Sequence, residues 1–343
     1  MKKSFSLFAG IFTAICLTQN VCRAWDYEGH RFVNQLALAS LPTNFPAFVL
    51  TPQARERIAF LAGEPDRWRN TPDLTHYNGP DHYIDMDELP AYGIDVNKLT
   101  HFRYDFAAEL AVARAMHPDK FPPIDPERNS DHTRQLVGFL PWAIMENFDK
   151  LKSGFSYLKA FEKGGTPEEI KNAQENIIYI MGVMGHYIGD AAQPLHTTMH
   201  HHGWVGENPQ QYSTDTKIHG RVDGYFRELS PAGFNELKAR IHTAELPATE
   251  LNMTTGDTFK QILTYIVNVN KEVVPLYELD KAGKLFGGGV AGADGKAFLD
   301  KQLVLGGQML GDFWYAAWQS APEDTYLESS LARRKLPPGD SSK

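Results

Sequence analysis

Apolar residues recur along most of the chain at the three- and four-residue spacing of amphipathic helices, and the alternation typical of strands is rare. We therefore predict an all-α fold, a single compact multi-helix domain over residues 25–330. A polar, Pro-containing tail over residues 331–343 is expected to be disordered. The helices that the pattern predicts cover 31–40, 52–62, 102–116, 131–161 with a break or kink at Pro141, 168–190, 258–274 and 295–318.

The helix over 168–190 is predicted to be central in the domain. Thr166, Pro167 and Glu169 form a strong start signal, with a capping hydroxyl, a proline at the first position and a glutamate three residues after the cap. Apolar residues then surround most of the helix, including Ile177 and Met184. A helix that is apolar around its girth is expected to be buried among the others.

The first 24 residues have the order of a secretory signal peptide: two lysines, an apolar run and a small residue, Ala24, before the expected cut. We predict cleavage between Ala24 and Trp25 and export of the protein, to the periplasm or outside the cell. Cys16 and Cys22 both lie in this leader, so the mature chain would have no cysteine and would depend on its core and on bound metals for stability.

The protein is acidic. The formal net charge of the whole chain is −8, and loss of Lys2, Lys3 and Arg23 with the leader would make it −11. An acidic surface argues against a protein that reads nucleic-acid sequence with a basic face. It does not exclude a nuclease, because bound metal ions reverse the sign of the charge locally.

Two His-x3-Asp pairs with a third histidine between them are the most informative motif. They are His186 with Asp190, His219 with Asp223, and His196, which follows a proline turn. Positions four apart share one face of a helix, and zinc favours this mixture of imidazole and carboxylate ligands. One such pair alone is more often a surface hydrogen bond or weak ion pair, but two pairs with a third histidine favour a metal site.

Together with further residues, these motifs resemble the zinc-dependent, single-strand-specific nucleases and 3′-nucleotidases, whose helical fold is shared with bacterial zinc phospholipases C. The resemblance extends over about two hundred residues, from Trp25 to Asp223. The segments that carry it are Trp25 with His30 five residues later, Asp66 with Arg69, His82-Tyr83-Ile84-Asp85, His186 to His196, and His219 with Asp223.

The resemblance implies three zinc ions and a set of ligands. One ion would be bound by Asp66, His82, His186 and Asp190, and a second by His196, His219 and Asp223. The third would be bound by the amino terminus of Trp25 and by His30, with Asp190 bridging. A hydroxide held between two zinc ions would be the nucleophile, Asp66 would orient it, and Arg69 would stabilise charge on the phosphoryl oxygens.

The expected substrates are single-stranded DNA or RNA, cut to 5′-phosphorylated products, and 3′-nucleotides, converted to nucleosides. By the same resemblance, Tyr83 and Asp85 would bind the base, although plain core packing is the alternative for Tyr83. The segment over 87–131 is expected to form a lid or a rim. The three histidines at 200–202 are expected to be solvated or to line the substrate site, with a role as extra metal ligands as the lesser alternative.

Two other functions remain open on the sequence. A zinc phospholipase C acting on phospholipid headgroups is the first alternative, and Trp204 is compatible with both a base-stacking and a lipid-facing role. A catalytically silent zinc-binding protein ranks last, because every expected ligand position is filled. No stable protein partner and no membrane anchor are predicted, and a monomer is expected.

Overall fold

The computed structural model describes residues 25–121, 123–246, 255–287 and 289–334. The predicted signal peptide over 1–24 lies outside these residues. The all-α prediction is confirmed: the described residues form one helical domain without a β-strand. None of the described helices combines the length and the apolar composition needed to cross a membrane.

The described residues contain thirteen α-helices and eight short 3₁₀ helices. The α-helices are α1 (Tyr27–Ser40), α2 (Pro52–Leu61), α3 (Glu64–Trp68), α4 (Pro72–Asn78), α5 (Arg103–Met116), α6 (Leu140–Gly164), α7 (Pro167–Ala192), α8 (Ile218–Asp223), α9 (Pro231–Lys238), α10 (Thr255–Asn270), α11 (Val273–Lys281), α12 (Ala293–Ser320) and α13 (Thr325–Arg334). The 3₁₀ helices are Gly79–His82, Met86–Tyr92, Val96–Lys98, Pro126–Arg128, Pro194–Thr197, Met199–His202, Gly224–Glu228 and Gly289–Gly292.

Helix α7 is the centre of the domain, as its composition predicts. It begins with a complete capping box, in which the Thr166 hydroxyl accepts from the Glu169 backbone N–H and the Glu169 carboxylate accepts from the Thr166 N–H. It packs against α1, α2, α6 and α12, and every residue from Met181 to Ala192 is buried. The last two turns of α7, which carry His186 and Asp190, therefore lie in the middle of the core.

Three glycines on α7 allow α1 and α2 to approach it closely. A Cβ atom at Gly182 would lie 2.4 Å from Leu61 Cβ, one at Gly185 would lie 1.6 Å from Asn34 Oδ1, and one at Gly189 would lie 2.8 Å from His30 Nδ1. The Asn34 amide occupies the space beside Gly185 and donates to the Gly182 carbonyl oxygen over 3.1 Å. Because these glycines have no side chain, α1, which carries His30, can pack close to α7.

The prediction of one helix over 131–161 is wrong at its beginning. The helix α6 starts at Leu140, and Pro141 lies in its first turn instead of breaking it. A proline at this position is compatible with a helix because the first amide groups have no partner within the helix. The preceding residues are not helical: Gly138 has a φ of 92°, and Phe139 N donates to the Pro80 carbonyl oxygen over 2.6 Å.

The predicted start of a disordered tail at residue 331 is also wrong. The helix α13 continues to Arg334, Leu331 is buried, and the Arg334 guanidinium lies 2.6 Å from the Glu169 carboxylate near the beginning of α7. The polar composition of this segment does not indicate that Leu331 is buried. Residues 335–343 lie outside the described residues.

Replacement of Gly185 by alanine tests the close approach of α1 to α7. The added methyl group would overlap Asn34, and we expect the free energy of unfolding to fall by about 2–3 kcal/mol, as for other overpacked cores. Gly220→Ala in α8 is the matched control, because nothing lies within 4 Å of the position of its Cβ atom. Urea unfolding of the two variants should differ clearly; equal stability would contradict the packing described here.

Candidate metal centre

The predicted ligands come from separate parts of the chain and meet at the inner end of α7. His186 and Asp190 lie one turn apart on α7, and His219 and Asp223 lie one turn apart on α8. The other contributions come from α1 with His30, from α3 with Asp66, and from two 3₁₀ helices with His82 and His196. These side chains form three groups that could hold a metal ion.

The His82 group consists of His82, His186 and Asp190. His82 Nδ1 lies 3.0 Å from His186 Nε2 and 3.1 Å from Asp190 Oδ2, and His186 Nε2 lies 3.4 Å from the same oxygen. Around a tetrahedral zinc ion with bonds of about 2.0–2.1 Å, two ligand atoms are about 3.3 Å apart. The three atoms therefore form a triangle of the size of one face of a zinc coordination shell.

The His219 group consists of His196, His219 and Asp223. His219 Nε2 lies 2.9 Å from His196 Nε2 and 3.4 Å from Asp223 Oδ2. The other Asp223 oxygen accepts a hydrogen bond of 2.9 Å from the Gln193 amide, which orients the carboxylate. This group has the composition and the spacing of a second metal site.

Hydrogen bonds outside the groups fix which ring nitrogens face inward. His186 Nδ1 lies 2.7 Å from the Ala62 carbonyl oxygen, and His196 Nδ1 lies 2.6 Å from that of His82. Each Nδ1 must carry a proton to donate, so each Nε2 presents a lone pair to its group. Such second contacts are typical of metal-binding histidines.

The His30 group consists of His30, Asp66 and His186, whose ligand atoms lie within 4.8 Å of one another. Its His30 ring stacks on His186 with a centroid distance of 3.9 Å, and His30 Nε2 lies 3.4 Å from Asp190 Oδ1. Asp190 thus directs one oxygen to His30 and the other to the His82 group. The resemblance assigns Asp66 to the ion bound by His82, His186 and Asp190. In the structure, Asp66 lies instead in the group of His30 and His186.

Burial shifts the pKa of the five histidines and of two of the carboxyl groups. It lowers the pKa of His30, His82, His186 and His219 and lowers that of His196 to about 3. It raises the pKa of Asp190 and of Asp223 well above the usual range of a carboxyl group. Neutral imidazoles are the form that binds metal, and a divalent cation would compensate the charge of both carboxylates.

Several of these buried polar atoms have no hydrogen-bond partner among the described residues. They are both ring nitrogens of His30, His82 Nε2, Asp190 Oδ1 and Asp223 Oδ2. Buried polar groups without a partner are costly, and a cluster of them points to a missing ligand. A cation between His30 and Asp190 would satisfy His30 Nε2 and Asp190 Oδ1, and a cation in the His219 group would satisfy Asp223 Oδ2.

Trp25 lies next to the His30 group. Its side chain is fully buried and packs edge-on against Phe226 at a centroid distance of 5.1 Å. The position of a Cβ atom at Gly189 is 2.8 Å from His30 Nδ1 and 3.7 Å from Trp25 Cδ1, so that both residues adjoin the same turn of α7. Metal binding by the amino group of Trp25 stays a prediction.

Arg69 and Tyr83 line a cavity of about 160 Å³ that opens next to the groups. His82, His196 and His219 are also in its wall, so part of the donor set faces the open space. Arg69 Nη1 donates to Asp66 Oδ1 over 3.1 Å. The two predicted catalytic residues are therefore in contact, while Glu64, in the same short helix as Asp66, pairs with Arg67.

The two predicted base-binding residues lie in different surroundings. The Tyr83 side chain faces the cavity, whereas Asp85 is buried beside His201, with 3.8 Å between Asp85 Oδ1 and His201 Nδ1. Burial raises the pKa of Asp85 well above its usual range, and Glu88 and Asp87 add to the effect. His201, and not Asp85, is the residue of this pair that lines the cavity.

The histidine run separates into three different roles. His200 stacks on Trp204 at a centroid distance of 3.9 Å, His201 lines the cavity, and His202 packs near His219 at 5.4 Å. Trp204 is partly buried against His200, Tyr212 and Tyr277. Asn208 forms two hydrogen bonds of 2.8 Å with the backbone of Tyr212 and closes its own loop.

The composition of the run does not reveal which histidine faces inward, and Thr75, Asp131 and Thr133 in the cavity wall belong to no motif.

Comparison with known proteins adds no further assignment: no protein-family model matches the chain, and no curated protein matches it.

The depressed histidine pKa values predict how the stability of the metal-free protein depends on pH. The five imidazoles are neutral when folded but take up protons near pH 6.5 when unfolded, so stability is lost as the pH falls from 6.5 towards 4.5. Asp190 and Asp223, whose pKa values are raised in the folded state, oppose this trend but are outnumbered.

Unfolding of EDTA-treated protein by urea at several pH values measures the effect. His196→Gln should reduce the slope by up to one proton, about 1.4 kcal/mol per pH unit. An unchanged slope in this variant would contradict a neutral His196 in the folded protein.

Proposed function

We propose that the protein is an exported zinc-dependent phosphodiesterase that hydrolyses single-stranded DNA or RNA to 5′-phosphorylated products and 3′-nucleotides to nucleosides. The observation that carries the proposal is that histidines of two donor groups, His82, His196 and His219, line the same cavity as Arg69 and Tyr83, with the third group directly behind them. Nucleophile activation, charge stabilisation and base binding would then occur within one space.

The donor set would hold three zinc ions in this proposal. Two would be held by the His82 group and the His219 group, and the third by His30, Asp190 and the amino terminus of Trp25, with Asp66 available to either neighbouring ion. Bound zinc would supply a Lewis acid for the phosphoryl oxygens and would lower the pKa of a coordinated water towards neutrality. Binding through the amino terminus requires cleavage after Ala24, which stays a prediction together with export.

Two side chains of the protein, Asp66 and Arg69, would take part in the reaction at the phosphate. The Asp66 carboxylate can accept a proton from the attacking water and orient it. The Arg69 guanidinium already donates to Asp66 and is directed by that contact towards the cavity. The positive guanidinium would stabilise negative charge as it grows on the phosphoryl oxygens.

Tyr83 and His201 would form the two walls of a base-binding slot. Their ring centroids are 6.5 Å apart, with 36° between the ring planes. A flat ring between two others needs about 7 Å at contact distances of about 3.5 Å, so a small rotation of His201 would admit a nucleobase. Stacking of this kind depends little on base identity, in agreement with a nuclease of broad specificity.

Replacement of Asp190 by asparagine tests the proposal. The amide cannot neutralise two cations, and we expect loss of at least one of three zinc ions and a fall in activity of about 100-fold or more. Asp300→Asn is the matched control, since Asp300 is also buried but pairs with Lys296 away from the groups. Zinc would be counted by elemental analysis, with Trp25 confirmed as the first residue by mass spectrometry.

The wild type and both variants would be assayed on single-stranded DNA, 3′-AMP and phosphatidylcholine. Turnover of the two nucleotide substrates by the wild type and by Asp300→Asn, but not by Asp190→Asn, is the expected result. Turnover of the lipid alone would replace the nuclease by a phospholipase C. An Asp190→Asn variant with three zinc ions and full activity would contradict the role of Asp190.

A further inference from the structure

The segment between His82 and α6 encloses a second pocket that no role proposed so far explains. Its volume is about 480 Å³, within the range of pockets that bind small molecules. The 3₁₀ helix Met86–Tyr92 and α5 contribute to its walls. Its polar and aromatic lining residues include Asp87, Glu88, Tyr92, Arg114, Lys120, Phe121 and Arg134.

This pocket is adjacent to the cavity of the metal centre. Asp131 and Thr133 line the cavity and Arg134, the next residue, lines the pocket; on the other side, His201 lines the cavity and Met199 the pocket. The Asp87 carboxylate in the pocket wall accepts hydrogen bonds from the Thr198 hydroxyl and from Met199 N, just before His201 in the chain. A ligand that extends from the cavity past Arg134 would thus enter the pocket.

The chemistry of the pocket suits one unit of a nucleic-acid strand. Lys120 and Arg134 are exposed at the pocket and can contact phosphate oxygens. Phe121 packs against Tyr92 at a centroid distance of 4.4 Å and lies under the Arg114 guanidinium at 4.7 Å, which makes a rigid aromatic and cationic wall. Glu88 offers a carboxylate that can accept N–H groups of a base.

The charge of this region differs from that of the rest of the protein. Three cationic side chains, Arg114, Lys120 and Arg134, balance three carboxylates in the lining, whereas the whole chain has a net charge of −8. A strand of phosphates would meet less repulsion along this path than on an average part of the surface.

We propose that this pocket is a second nucleotide subsite, which binds the nucleotide adjacent to the one at the metal centre in a single-stranded substrate. The inference rests on the proposed nuclease function and adds to it a preference for oligonucleotides over mononucleotides. Lys120 and Arg134 would bind the phosphate, and the wall formed by Tyr92, Phe121 and Arg114 would contact the base or sugar.

The test compares a substrate that reaches only the metal centre, 3′-AMP, with single-stranded oligonucleotides of two to six nucleotides. The variants are Lys120→Ala, Arg134→Ala and their combination, with Lys238→Ala on α9 as a control for loss of an exposed lysine. Tyr83→Ala serves as a comparison, because loss of the first base contact should raise KM for mononucleotides and oligonucleotides alike.

We expect the combined Lys120 and Arg134 variant to raise KM about tenfold for oligonucleotides of three or more units, with less than a twofold change for 3′-AMP. Its KM for oligonucleotides should also depend less on salt, by about 0.7 in the logarithmic slope for each lost phosphate contact. Lys238→Ala should match the wild type on both substrates.

The possible results separate the subsite from the nuclease function itself. If the wild type hydrolyses both substrates and the combined variant equals it, or loses activity on both to the same extent, the subsite is wrong and the nuclease proposal stands. If the wild type hydrolyses neither substrate, the nuclease proposal fails and the subsite fails with it.

Discussion

A carboxylate that faces three imidazoles in the interior of a helical domain is the constraint on which the rest of the structure depends. Asp190 is fully buried, and His30, His82 and His186 each place a ring nitrogen 3.1–3.4 Å from its oxygens. In an apolar interior such a group is costly unless a partner of opposite charge is present. Metal cations are the partners that fit the inward-facing lone pairs of the histidines.

The fold provides what this arrangement needs. The buried end of α7 supplies His186 and Asp190, and Gly185 and Gly189 of the same helix allow α1 to bring His30 into contact. The carbonyl groups of Ala62 and His82 orient the rings of His186 and His196 from outside the donor groups. Rigid elements thus set the positions of donors that lie far apart in the chain, as a preorganised site requires.

Local patterns in the sequence predict some of these features and not others. The capping box at Thr166 and the four-residue spacing of each His-Asp pair depend on neighbours within one helix, and both are present in the structure. The start of α6 at Leu140 instead depends on a contact between Phe139 and Pro80, far away in the chain. For the same reason the sequence does not show that His201 lines the cavity, that Asp66 lies with His30, or that the segment after His82 forms a pocket.

The central claim is that the three donor groups are metal sites, and anomalous diffraction at the zinc absorption edge from crystals of the zinc-loaded mature protein tests it most directly. The account predicts three peaks, one in the His82 group, one in the His219 group and one between His30 and Asp190. Empty groups, or zinc found only at the histidine run over 200–202, would contradict it.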